Sequence, residues 1–269
     1  MKRGLSIPNM GEGPELVQIA VDAERAGWDG AFFWDHTVGT TDFAVPMADP
    51  WALLGAVAVR TERIAVGTTI AALPRRQVQE VARQAVTIDH LSGGRMVLGV
   101  GLGEPPSEYT AIGRSPSRAE LAARLDESLE VLERLWTGEP VDHEGAHVTL
   151  RGAQFLPRPH QQPRPPVWCS CMAPNDRTIG RAARWDGAIV GEMAEDGSML
   201  PPDPAKVRSV ADALARSSTT GAPAAVVVAV PPELGGTTAA DYERAGATWL
   251  LTTAYVDELA AIAESPPPG

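Results

Sequence analysis

The stretch from Arg63 to Glu104, RIAVGTTIAALPRRQVQEVARQAVTIDHLSGGRMVLGVGLGE, most constrains what this chain can fold into. A β-branched run (Ile64, Val66, Thr68) is broken by Pro74. From Gln77 the apolar period lengthens, and Val78, Val81, Ala85, Ile88 and Leu91 trace one helical face. Ser92-Gly93-Gly94 ends that helix, because glycine takes the left-handed C-cap conformation without a Cβ penalty. Met96, Val97, Leu98 and Val100 then form a nearly continuous apolar run, as in a strand covered on both faces. Strand, helix and strand make a βαβ unit, whose crossover is right-handed in nearly all proteins.

The rest of the chain repeats this plan. Strands are expected at 4–8, 31–34, 64–68, 96–100, 167–171, 186–190, 224–230 and 247–251. Helices between them are announced by Pro14, by Asp49-Pro50 and Asp203-Pro204 (an N-cap followed by proline at the first helical position), and by Ser117-Arg118-Ala119-Glu120, which has the form of a capping box. Val141 to Leu150 around Glu144-Gly145 reads as a small hairpin excursion between the fourth helix and the fifth strand. Eight strands, each followed by a helix, point to an α/β fold of the (β/α)8 TIM-barrel type rather than an open doubly wound sheet. No linker or repeat divides it, so residues 1–264 are expected to form one domain, with 265–269 a disordered tail.

Charge and cysteine content narrow the setting. A net charge of −11 argues against sequence-independent binding to nucleic acid or to anionic membranes. Only two cysteines, Cys169 and Cys171, fit a reducing compartment, and no apolar run reaches membrane-spanning length. The expectation is a cytoplasmic enzyme or binding protein acting on a small molecule.

In such a barrel the chemistry sits at the carboxyl ends of the strands. That rule selects Asn9, Asp35, His36, Thr68, Thr69, Gly101 to Glu104, Ser170, Cys171, Glu192 and Thr252 or Thr253. His36 is the histidine at a strand tip, placed to act as acid, base or hydrogen-bond donor near neutral pH. The bland alternative is a histidine that braces the following loop. His90 lies in the last turn of a helix, where the helix dipole accounts for it. His143-Glu144-Gly145-Ala146-His147 matches the zinc-protease pattern HExxH, but the pattern needs a helix and the flanking residues read as strand; no metal is assigned. Gly99, Gly101 and Gly103 are either a tight strand exit or a close approach of backbone to a flat ligand. Glu104 at the rim favours the second. Cys169 and Cys171 lack redox or zinc spacing and read as buried thiols, Cys171 near enough to the mouth to touch a ligand. Arg75, Arg76 and Arg177 are candidates to face a phosphate or substrate.

VGTTIAALPRRQVQEVARQAVTIDHLSGGRMVLGVGLGE resembles the central signature of the luciferase-like monooxygenase superfamily. The resemblance continues through Leu129 to Val141, Pro163 to Val167 and Ala182 to Gly187. Members are TIM-barrel oxidoreductases using FMN or the deazaflavin coenzyme F420. The resemblance implies a ring over the barrel mouth, against Thr68 and Thr69 and beside a non-proline cis peptide, with Gly101 and Gly103 close by. It implies His36 and Glu104 as catalytic residues, and a phosphate end near Ser170, Cys171 and Arg177. At that end the chain departs from the pattern, with Cys-Ser-Cys-Met-Ala-Pro-Asn where relatives often carry a glycine-rich turn. The implied function is oxidation of a small organic substrate, by flavin hydroperoxide chemistry with reduced FMN, the first expectation, or alternatively by hydride transfer with F420. A separate flavin reductase and a homodimer through the helices after strands two and three go with it. The alternatives are a barrel that binds flavin without turnover, and a metal-dependent hydrolase or isomerase, for which strand-tip ligands are too few.

Overall fold

The computed structural model describes residues 1–39, 44–195, 198–217 and 223–267. The segments 37–48 and 191–202, which follow the second and sixth expected strands, and the tail at 265–269 therefore lie partly outside the described residues. Within the described part of the tail, the Ser265 carbonyl accepts from Trp28 Nε1 at 2.9 Å.

In chain order the elements are β1 (Lys2–Ile7), α1 (Gly13–Ala26), β2 (Gly30–Phe33), α2 (Pro50–Arg60), β3 (Ala65–Ala72), α3 (Val78–Leu91), β4 (Met96–Gly101), α4 (Ser107–Ala111) and α5 (Arg118–Trp136). The hairpin β5 (Val141–Glu144) and β6 (Thr149–Ala153) follows, then β7 (Val167–Ser170), α6 (Asp176–Ala183) and β8 (Gly187–Val190). A second small hairpin, β9 (Glu192–Met193) and β10 (Met199–Leu200), precedes α7 (Pro204–Ser217), β11 (Ala225–Val230), α8 (Ala239–Arg244), β12 (Trp249–Thr253) and α9 (Val256–Ala263). Eight parallel strands close into a barrel in the order β1-β12-β11-β8-β7-β4-β3-β2. This is the (β/α)8 architecture, with the β5–β6 excursion where the turn at Glu144-Gly145 puts it.

Two apolar clusters hold it together. Inside the barrel, Phe32, Val97, Trp168, Ile189, Val227, Trp249 and Leu251 pack with Ile70 and two alanines. A larger cluster fills the layer between strands and helices, where Leu16, Ile19, Ala20 and Ala23 of α1 and Leu121, Leu125, Leu129, Leu132 and Trp136 of α5 are buried as their 3.6-residue spacing requires. Asp49 caps α2 by accepting from Trp51 N and Ala52 N. Ser117 caps α5 through Glu120 N, while the Glu120 carboxylate pairs with Arg124. Arg95 ties the base of the barrel, donating to the carbonyls of Ala58, Thr61, Ile64 and Ser92.

Three expectations shift. Leu91 is 48 % exposed rather than inward: at 100° per residue it has turned about 140° from Val78 by the end of α3. The last strand begins at Trp249 and runs through Thr252 and Thr253. The helix α4 lies in what reads as loop, because five residues after two prolines carry no periodic signal. Among the described residues no helix is long and apolar enough to cross a membrane.

Candidate active site

Positions at the carboxyl ends of the strands form the mouth, and there the exposure pattern opens: Trp34, His36, Thr69, Ile70, Gly103 and Ser170 are partly exposed. The β3–β4 ladder shifts between Thr68 and Ala71, and the Thr69–Ile70 peptide is cis. On the two sides of this shift the two threonines part. Thr68 is buried, its Oγ1 donating to the Gly99 carbonyl at 2.7 Å. Thr69 Oγ1 is 2.9 Å from Ser6 Oγ, which accepts from Trp34 Nε1 at 2.8 Å. Ile70 packs on the barrel-interior cluster. The glycines serve the strands' own contacts: a Cβ on Gly99 would lie 2.1 Å from the Thr68 carbonyl oxygen. One on Gly101 would lie 3.0 Å from Ile70 Cδ1 and 3.1 Å from Ser170 Cβ, so glycine keeps the floor between those two side chains low.

Beside this floor, at the tip of β2, stands a charged cluster. Asn9 fixes the His36 backbone on both sides, accepting from His36 N at 3.1 Å and donating to His36 O at 2.8 Å. Asp35 is buried and accepts from Ala72 N at 3.0 Å and Arg76 Nε at 2.8 Å. A second Arg76 nitrogen completes a forked pair with it. Arg75 donates to the Asp35 carbonyl and to Glu108. Both arginines thus turn inward to carboxylates rather than outward to a ligand. Glu108, on α4, is 2 % exposed and meets His36 Nδ1, Arg75 and Thr37. Burial alone would push the Glu108 carboxyl up, but the His36 hydrogen bond and the Arg75 charge outweigh it and hold the carboxyl below its ordinary range. The neighbouring Tyr109 anchors α4 by donating to the Leu102 carbonyl at 2.5 Å, and burial pushes its phenol up to about 12.

The remaining candidates are dispersed. Glu104 is half exposed and pairs with Arg118 at 2.7 Å, so the carboxylate that reaches His36 is Glu108, not Glu104. Cys171 is fully enclosed, donates to the Thr178 carbonyl at 3.3 Å and has its thiol pushed up to about 11 by burial, which withdraws it from the mouth. Cys169 shifts the same way for the same reason. Arg177 is exposed at the start of α6, but two of the N–H groups there are already taken: Asn175 Oδ1 accepts from Arg177 N at 3.0 Å and Thr178 N at 3.2 Å. The HExxH segment is strand and turn, with His143 Nε2 3.1 Å from Glu127 Oε1. A cavity of about 620 Å³ lies at the opposite, amino-terminal face of the barrel, lined by Lys2, Arg63, Arg95, Trp168 and Trp249. It is remote from the strand tips that carry chemistry in this fold.

The family model for luciferase-like monooxygenases matches residues 3–264. The chain belongs to that family. Among the relatives of this luciferase-like chain are F420-dependent glucose-6-phosphate dehydrogenases. That of Microbacterium testaceum is 35 % identical over 173 residues, covering 63 % of this chain and 50 % of the relative. That of Mycolicibacterium fortuitum is 34 % identical over 218 residues, covering 76 % and 61 %. The chain spans about half the length of the curated relatives it matches. An F420-dependent secondary alcohol dehydrogenase in complex with an F420-acetone adduct has the same fold at a TM-score of 0.79 and 17 % identity, over 98 % of this chain and 97 % of that one. Monooxygenase RslO1 from Streptomyces bottropensis matches at a TM-score of 0.71 and 23 % identity, over 98 % and 78 %.

Glu108 escapes a reading of the sequence because two glutamates, Glu104 and Glu108, follow the fourth strand. The nearer one looks like the strand-tip residue. Only the turn of α4 brings the farther one back over Arg75.

Proposed function

We propose that this chain is an F420-dependent oxidoreductase that moves hydride between the deazaflavin and a small organic substrate. The observation that carries the reading is the His36–Glu108 pair at the tip of β2, where His36 lies against Trp34 and Trp34 is joined through Ser6 to Thr69. The relatives named as F420-dependent, matched at 34–39 % identity, support F420 over FMN. FMN, the first expectation from the resemblance, is supported by neighbours of the same fold such as a Baeyer-Villiger monooxygenase in complex with FMN, at a TM-score of 0.69 and 17 % identity, and a separate flavin reductase belongs only to that alternative.

The mouth fits a flat ring. Gly101 leaves room between the Ile70 and Ser170 side chains, and Thr69, Ile70 and Ser170 are partly exposed there. Thr69, Ile70, Gly101, Gly103 and Ser170 would hold the ring. The phosphate end fits less well, since Asn175 already caps α6 and leaves Arg177 as the cation nearby. Bound F420 supplies a two-electron carrier that exchanges hydride. The chain's own part is the proton: His36 Nε2, with Nδ1 engaged by Glu108, takes a proton from a substrate hydroxyl as the carbon is oxidised and returns it in reverse. Asn9 and the Asp35–Arg76 pair keep the β2 tip in place while this happens.

The test is separate titration of the chain with F420 and FMN, followed by cofactor fluorescence. Tight F420 binding with weak FMN binding supports the reading. The reverse would move the function to oxygen chemistry, and binding of neither would sink it.

A further inference from the structure

A histidine that moves a proton does so through one ring nitrogen, and the contacts of His36 decide which. Nδ1 meets Glu108 Oε1, whereas Nε2 has no protein partner among the described residues. An ionised carboxylate only accepts, so Nδ1 must carry the hydrogen in that bond. The other carboxylate oxygen is committed as well. Glu108 Oε2 faces Arg75 Nη1, and lies 3.3 Å from Thr37 N and 3.4 Å from Thr37 Oγ1. A guanidinium and a backbone N–H can donate and can never accept.

We propose that Glu108 is a positioning residue which, anchored by Arg75 and Thr37, fixes neutral His36 as its Nδ1–H tautomer and leaves Nε2 as the basic nitrogen. The proposal rests on the preceding reading for what Nε2 does to substrate. The tautomer itself is a property of the free chain and stands or falls separately.

The donors around Oε2 give the isosteric substitution Glu108→Gln an unusual consequence. The glutamine has one accepting and one donating end. If its NH2 group faced Arg75 and the Thr37 N–H, donor would meet donor in a buried site. The amide oxygen therefore stays with Arg75 and Thr37, and the NH2 turns to His36. Nδ1 must then accept, and the ring hydrogen moves to Nε2. One atom is changed with the shape kept, and the base becomes a donor. Glu104, four residues earlier and paired with Arg118 at the rim, has no such hold on the ring.

The experiment is 15N NMR of the full chain labelled at histidine, recorded where the histidine rings are neutral, with His36→Asn identifying the resonances. The wild type is expected to show Nδ1–H, Glu108→Gln to show Nε2–H, and Glu104→Gln to leave the wild-type pattern. If the preceding reading also holds, Glu108→Gln lowers kcat on the order of a hundredfold with F420 affinity unchanged. Wild-type His36 found as Nε2–H overturns the proposal, as does a folded Glu108→Gln chain that keeps Nδ1–H. If that variant does not fold, the wild-type spectrum alone decides. Failure to bind F420 would sink the functional reading and leave this result intact.

Discussion

Replacing Arg75 with methionine should cost stability in a way that depends on pH with a definite sign. The Arg75 side chain is 5 % exposed and the Glu108 side chain 3 % exposed, so the substitution leaves a carboxylate out of water with one cation fewer. Breaking a buried pair on one side costs about 3–5 kcal/mol. Here His36 and the Thr37 N–H remain against Glu108, which brings the expectation to about 3 kcal/mol. For a chain of this length that is roughly 5 °C in Tm. The native Glu108 carboxyl lies below its ordinary range. Its contribution is therefore complete above the unfolded carboxylate range and is lost as pH falls through the lowered native value. Arg75→Met should thus differ most from wild type at neutral pH, and the two should converge on acidification below the usual carboxylate range. Thermal melts followed by circular dichroism from neutral to acidic pH would measure this. A variant within about 1 °C of wild type at neutral pH, or a deficit that grows on acidification, would refute the coupling of Arg75 to Glu108.

Other outcomes follow from the same contacts. Arg95→Met removes donors from four carbonyls at the base of the barrel and should cost about 3 kcal/mol, read by urea denaturation; under about 1 kcal/mol would mean water replaces them. Glu104→Gln should change stability by less than about 0.5 kcal/mol, because its pair with Arg118 is exposed. Cys169 and Cys171 are buried with their thiols pushed up, so a disulfide reagent should label neither in the native chain and both on unfolding. A homodimer through α2 and α3 would cover Val59, 62 % exposed, and Leu91, 48 % exposed. Val59→Asp with Leu91→Asp should then turn a dimer into a monomer in sedimentation, and a wild-type monomer would remove the homodimer that the resemblance implies.

The barrel was legible because its signals are local and repeated. The Leu16–Ala23 and Leu121–Trp136 faces, the Asp49-Pro50 start and the Gly93-Gly94 stop each announce an element from a few neighbouring residues. The tip of β2 was legible too, since His36 follows directly from where the strand ends. The partners of His36 were not. Thr68 and Thr69 look equivalent until a register shift sends one into the strand layer and the other toward Ser6. Glu108 sits on a helix too short for a periodic pattern, and its contacts with residues 36, 37 and 75 span 33 to 72 positions of chain. Asn175 shows the same limit from the other side. As a cap it starts α6, and in doing so it occupies two of the N–H groups that a phosphate could have used.

The central claim, that the redox cofactor lies at the carboxyl-terminal mouth beside His36, is tested most directly by hydrogen exchange with and without bound F420. The account predicts added protection in 34–39, 68–77 and 100–109, around the tips of β2, β3 and β4. Protection confined to the amino-terminal face, around Lys2, Arg63 and Arg95 where the 620 Å³ cavity opens, would contradict it.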